Sequence, residues 1–361
     1  MNAKELFYKR NIIITLLIAV GGLYIALRFH DECYRGMENG ITFCLEVLVP
    51  SLYFFMIVAA FFVQSGAACV ICRPLGGVSR ALFRLPSDSM AVILLAVIGG
   101  YPVGAASAAM MRKKGRLSPT QAAKTAYIAV AAGPGFLISY IGAALLEQPQ
   151  SGYILLAAQT VAVLLTGVIV GRTVKSEPLP YPTKHDPPHG NLLIDAVNSA
   201  SRSVLGMCAM VVLFCALSEV LDAVIADRTV CDIASAILEI TNGCNRLSPH
   251  VPLYITAFFI GFGGLSVHFQ IFALLAEVPV KKGLFFLFRI IEGIITMTAT
   301  YIFLMVMPTT AAVFSSTSAV PAAARSATLA GSAALVISSL LFIGSLSKKS
   351  VLVHQTQINR R

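Results

Sequence analysis

Charge is what this 361-residue chain has least of: 12% of its residues are Asp, Glu, Lys or Arg, against 57% hydrophobic. Soluble domains carry about 25% charged residues, so the scarcity excludes an ordinary soluble protein and leaves a polytopic membrane protein. The net surplus of bases, +10, would point to nucleic acid in a soluble chain. Here the bases stand in short loops beside apolar spans, where they set topology; the expected partner is the lipid bilayer, with no nucleic acid. Catalytic motifs are missing as well. There is no Walker-type glycine loop, no His-Glu-x-x-His and no acyl-transfer serine motif. Neither an enzyme nor an ATP-driven pump is expected, and no cofactor. The eight cysteines form no disulfide framework. Cys69-Val-Ile-Cys72 has the spacing of a redox or half-zinc pair, but lacks the second pair or His-x₃₋₅-His that completes a metal site. Cys44, Cys208 and Cys215 lie in apolar stretches and read as small buried residues.

What is present is a series of apolar segments of spanning length, about 20 residues. They lie near 11–28, 47–65, 124–146, 152–171, 204–226, 284–306 and 328–346. The first follows Lys4, Lys9 and Arg10 like a signal sequence. No small-x-small cleavage site precedes Arg28-Phe29-His30-Asp31, so it reads as a retained anchor, residues 1–40. A proline-rich linker, 172–190, divides the chain into halves 41–171 and 191–306, and a final helix and tail occupy 307–361.

Two further segments, 88–111 and 251–277, are apolar but interrupted, at Gly99-Gly100-Tyr101-Pro102-Val103-Gly104 and at Gly261-Phe262-Gly263-Gly264. Lipid cannot hydrogen-bond a broken backbone, so each must lie inside protein or beside a water-filled cavity. Paired interruptions in two halves mark the binding site of a secondary transporter. Basic loops flank 88–111 on both sides: Arg73, Arg80 and Arg84 before it, Arg112, Lys113, Lys114 and Arg116 after it. Both ends are then cytoplasmic, and the segment is a re-entrant hairpin. Carried forward, 251–277 becomes a second hairpin entering from the other face. The expected fold is an all-α inverted-repeat bundle with two re-entrant hairpins. Lys281, Lys282 and the basic tail fall outside in this scheme, against the charge rule. Each half also opens with an amphipathic stretch, 40–49 and 191–204, expected to lie along the interface.

At these motifs the chain resembles the YlbJ (SpoVV) family of sporulation integral membrane proteins, within the wider nucleoside recognition or gate-domain membrane proteins. The residues that carry the resemblance are Ile98-Gly99-Gly100-Tyr101-Pro102-Val103-Gly104-Ala105, Leu117-Ser118-Pro119-Thr120-Gln121-Ala122, Leu238-Glu239-Ile240-Thr241-Asn242-Gly243 and Phe262-Gly263-Gly264-Leu265-Ser266-Val267-His268-Phe269-Gln270. The resemblance covers roughly residues 40 to 305. It implies a protein of the membrane around the forespore that moves dipicolinic acid toward the forespore; the alternatives are a nucleoside or nucleobase carrier of the gate-domain type, or a non-transporting scaffold of the spore envelope. It also implies Asn and Ser before the Gly-Pro of the following span, where this chain has Ala129-Val130-Ala131-Ala132.

Half-helix N-termini suit carboxylates. For a small organic anion the candidate contacts are Gly99, Gly100, Tyr101, Gly104 and Ser107 in the first broken segment. Gly263, Gly264, Ser266, His268 and Gln270 serve in the second. The alternative is that the glycines only allow close helix packing. Glu239, with Thr241 and Asn242, is the candidate for a coupling proton or cation; the bland alternative is an interfacial helix end. His268 reads as a structural or cargo-contact residue ahead of a proton carrier.

Overall fold

The computed structural model describes residues 3–176, 191–248 and 250–307; the expected span 328–346 and most of the linker and tail lie outside them. Four described helices are long and apolar enough to cross a membrane, or up to six if each of two bent pairs is one span. The all-α polytopic class is borne out. Helix α1 (Ala3–Arg28) exposes most of its large apolar side chains from Ile12 onward and meets the next helix at 94°.

The scaffold is a pair of antiparallel helices. In the first half α2 (His30–Phe43) passes through a π-turn, Cys44–Leu48, into α3 (Val49–Ser65), with right-handed backbone at both junctions. Pro50 lies at the start of α3 and has no N–H to give, so the ladder is offset there. In the second half α10 (Leu192–Val224) is unbroken over 33 residues, about 50 Å. Gly36 packs on Ala216, Gly40 on Val212, Cys44 on the Cys208 carbonyl, and Tyr53 Oη bonds Ser201 Oγ at 2.7 Å. A Cβ on Gly36 would stand 2.5 Å from the Ala216 Cα, so glycine is what lets these backbones meet. The stretches 40–49 and 191–204 both belong to this packed pair. Gly40 and Cys44 of the first meet α10 beyond residue 204, and Ser201 of the second meets Tyr53 of α3.

After short turns α4 (Ala67–Cys72) and α5 (Gly76–Val78) comes the expected hairpin. α6 (Ser87–Gly99) and α7 (Tyr101–Lys113) fold back at Gly100, whose φ of 88° and ψ of −176° suit glycine alone. Its two ends meet: Arg116 donates to Asp88 at 2.6 and 2.9 Å. The expected single span 124–146 is a correction. α8 (Pro119–Ile128), started by a Ser118/Gln121 capping box, ends at residue 128; residues 129–133 are unwound, and a π-helix, Gly135–Leu145, follows. Pro134 donates no N–H and bars the residue before it from helix, which hydropathy alone does not register. α9 (Pro149–Thr173) closes the half.

The second half repeats this order. α11 (Arg228–Leu238) and α12 (Ile240–Leu247) fold back at Glu239, with Gly243 against Ala236 and Arg246 paired to Asp222 and Asp232 at the open end. This is the counterpart of 88–111. Segment 251–277 is not a second hairpin: α13 (Leu253–Phe262) and α14 (Gly264–Leu274) form a single 22-residue candidate span. Gly263 and Gly264, at φ of 90° and 71°, absorb the break without reversing the chain, because α13 packs on α15 (Lys282–Val306) while α14 packs on α7 and α10. Each half therefore runs long helix, hairpin, broken span, long helix. The inversion survives with different partners, since α10 separates the open end of the first hairpin from that of the second. The Lys281 N–H donates to Tyr127 Oη, one turn beyond Lys124, which bonds the Gly171 carbonyl at the basic face. The lysines thus return to the side the charge rule requires.

Candidate functional site

Both hairpin tips, both broken spans and the antiparallel scaffold converge on one cavity. Gly100, Tyr101 and Pro102 come from the first tip, and Glu239, Ile240 and Thr241 from the second. Gly133 and Phe136 line it from the first broken span, Val267 and Gln270 from the second; Leu48, Leu52, Met207 and Val211 close it from the scaffold. It measures about 30 Å³ as swept by the centre of a water molecule, room for roughly two waters. An aromatic ring enters only if the tips move apart.

Glycines seat each tip on the break that follows it in sequence. A Cβ on Gly133 would lie 3.1 Å from the Gly100 nitrogen, and one on Gly264 3.1 Å from the Ile240 nitrogen. The carbonyls freed by unwinding are bonded by distant side chains, as burial demands. At the first break Arg289 of α15 donates to the Tyr127 and Val130 carbonyls at 2.6 and 2.9 Å. At the second, the Tyr101 hydroxyl donates to the Ile260 carbonyl at 2.5 Å, and His268 Nε2 to the Phe262 carbonyl at 2.9 Å. Two of these three come from the opposite half, so the halves are tied at their weakest points.

The hairpin tips differ in charge. Glu239 is 1% exposed, and its Oε2 accepts from the Asn242 N–H at 2.7 Å, capping α12. The N-terminus of α7 has no side-chain cap. One tip thus carries its own carboxylate, while the other offers an uncapped helix start to the cavity.

Of the residues singled out from sequence, Gly100, Tyr101, Glu239, Thr241 and Gln270 line the cavity. Others do not. Gly104 is pressed against the Ala129 carbonyl and Ala96, and Gly99 against Val103, so both are packing glycines. Ser107 opens into a separate cleft between α3, α7 and α10, with Ser199 and Ser203. Ser266 accepts from Gln270 Nε2 at 3.1 Å and holds that side chain. His268 sits among the rings of Phe262, Phe285 and Phe286 and does not line the cavity. Gly263 lies beneath the Tyr101 ring, Gly264 beneath the second tip, and Asn242 contributes its backbone N–H.

Sequence reading missed Gly133 and Phe136, although Gly133-Pro134-Gly135 within an apolar run was a visible signal. It also missed a wholly buried polar group on α15 and α9: Arg289 and Glu292 pair at 2.8 Å, and Gln159 Nε2 donates to Glu292 Oε1 at 2.9 Å. Two charges three residues apart in a spanning segment were the available sign.

The chain is similar to the sporulation integral membrane protein YlbJ of Bacillus subtilis (strain 168), 23% identical over 327 residues, or 78% of this chain and 80% of that protein. No family model matches the chain, and no solved structure matches it. The resemblance read from the motifs is thereby borne out across most of the length. This is an integral membrane protein, and its relationship is to a sporulation protein.

Proposed function

Proceeding from that relationship, we propose that the chain is a sporulation-associated carrier of a small organic anion, dipicolinate being the leading cargo. The observation that carries the reading is the meeting of two oppositely entering hairpin tips with two unwound segments around one cavity. That is the arrangement of an alternating-access site. A cargo carboxylate would take the uncapped N-terminus of α7, with Tyr101 and Phe136 offering aromatic faces to its ring. Glu239 would be the coupling group, the one ionisable carboxylate among the cavity-lining residues.

That same carboxylate favours a second reading, a nucleoside or nucleobase carrier. Glu239, Thr241 and Gln270 can hydrogen-bond a neutral, hydroxyl-bearing cargo, and no Lys or Arg side chain is among the lining residues. Uptake of labelled dipicolinate and of uridine into proteoliposomes of the full chain separates the two. Dipicolinate uptake that excess uridine leaves unchanged is expected. Saturable uridine uptake with no dipicolinate transport would replace the first reading by the second. Loss of spore dipicolinate on deleting the gene in its source organism is the matching result in cells.

A further inference from the structure

Unwound backbone at membrane depth exposes carbonyl oxygens that require a hydrogen-bond donor or a cation, and in secondary transporters such carbonyls hold the coupling cation. At the first break the partner is covalently attached. Arg289 Nη1 donates to the Val130 carbonyl at 2.9 Å and Nη2 to the Tyr127 carbonyl at 2.6 Å, while Nη2 stands 2.8 Å from Glu292 Oε2. Arg289, Glu292 and Gln159 are all 0% exposed, and the Gln159 Oε1 is buried with no hydrogen-bond partner. Two backbone carbonyls and a carboxylate, with a spare amide oxygen on the neighbouring helix, form the all-oxygen surroundings that hard cations prefer. At the second break the neutral hydroxyl of Tyr101 and the ring of His268 bond the freed carbonyls.

We infer that the Arg289 guanidinium is a tethered cation: it permanently fills the place at the first break that a dissociable coupling cation would take. Transport therefore needs no sodium there, and coupling is left to the other side of the cavity, at Glu239. Only the transport readout below rests on the carrier reading; the binding readout does not.

The test uses the full chain purified in detergent, with thermal unfolding followed in choline, sodium, potassium or low-millimolar guanidinium chloride. The parent protein is expected to melt at one temperature in choline, sodium and potassium. Arg289→Ala should melt lower in choline, and guanidinium or ethylguanidinium should restore most of the loss. Neither ion should stabilise the parent. In proteoliposomes, dipicolinate uptake by Arg289→Ala should fall about tenfold or more and recover with the same ions, a rescue that lost packing alone does not give. Should Arg289→Ala fail to fold, Arg289→Lys keeps a tethered charge. Hydrogen exchange across residues 125–137 should then be the same in sodium and in choline, for this variant and the parent alike. Sodium-specific stabilisation of the parent, or sodium-dependent protection of 125–137, would overturn the inference. So would a folded Arg289→Ala that guanidinium ions leave unchanged. If the parent moves no dipicolinate, the cargo assignment falls while the melting data still decide the tethered cation.

Discussion

Gly104→Ala is expected to prevent the first hairpin from seating, and to be the most damaging single methyl addition among the described glycines. The new Cβ would fall inside the Ala129 carbonyl oxygen and 2.6 Å from the Ala96 Cβ. Overpacking of a core costs typically 1–3 kcal/mol, more where nothing can yield. Here little can. Ala96 belongs to the hairpin's other arm, and the unwound stretch bearing Ala129 is fixed on either side by the Arg289 bonds to Tyr127 and Val130. A loss of roughly 3 kcal/mol or more follows, seen as a lower melting temperature and a smaller monodisperse fraction in detergent. Gly206→Ala is the control, since a Cβ there meets nothing within 4 Å, and helix propensity alone favours Ala over Gly by about 1 kcal/mol. Equal behaviour of the two variants would mean that the hairpin does not sit against the first break.

Glu239→Gln is expected to leave the fold intact and to remove transport. The amide oxygen of Gln can still accept from the Asn242 N–H, so the α12 cap, worth about 1 kcal/mol, is kept. What disappears is the one ionisable carboxylate lining the cavity. An ionisable group buried at membrane depth is costly to maintain and marks a functional site by default. If Glu239 couples cargo movement to a proton or cation, concentrative uptake should drop by about tenfold or more, equivalent to at least 1.4 kcal/mol of lost transition-state stabilisation. Exchange of cargo across the membrane at equal concentrations should survive better. Glu239→Ala, which also removes the cap, should be less stable than Glu239→Gln. Parent-level uptake by a stably folded Glu239→Gln would reduce Glu239 to a helix cap.

Much of the site was legible because its signals are local. Gly100 declares itself as a break in an apolar run, and the bases on either side of 88–111 declare that the run returns to the side it came from. Glu239-Ile240-Thr241-Asn242-Gly243 was visible as an acidic group after an apolar run too short to span. That this run is one arm of the second hairpin was not visible, since its return arm α12 has only 8 residues, shorter than a half-span of about 15 Å requires. Gly263-Gly264 misled for the opposite reason. Two glycines permit a reversal or a mere offset, and the choice lies with the helices that α13 and α14 pack against.

The sequence by itself determined the solvent, the number of halves and which face is basic. Hydropathy and loop charge act residue by residue, through transfer from water and through the orientation rule. It also determined that the chain must be broken near Gly100 and Gly263, because proline and adjacent glycines remove or loosen helix bonds wherever they stand. Only the tertiary structure decided that 251–277 goes through and that α11 and α12 fold back in its place. Only there do Arg289 and Tyr101 find the carbonyls that unwinding sets free, and only there does Glu239 reach the Gly100 tip. The reason is that a buried polar backbone group is satisfied by whatever lies near it in space. In this fold those partners come from more than 150 positions away in the chain.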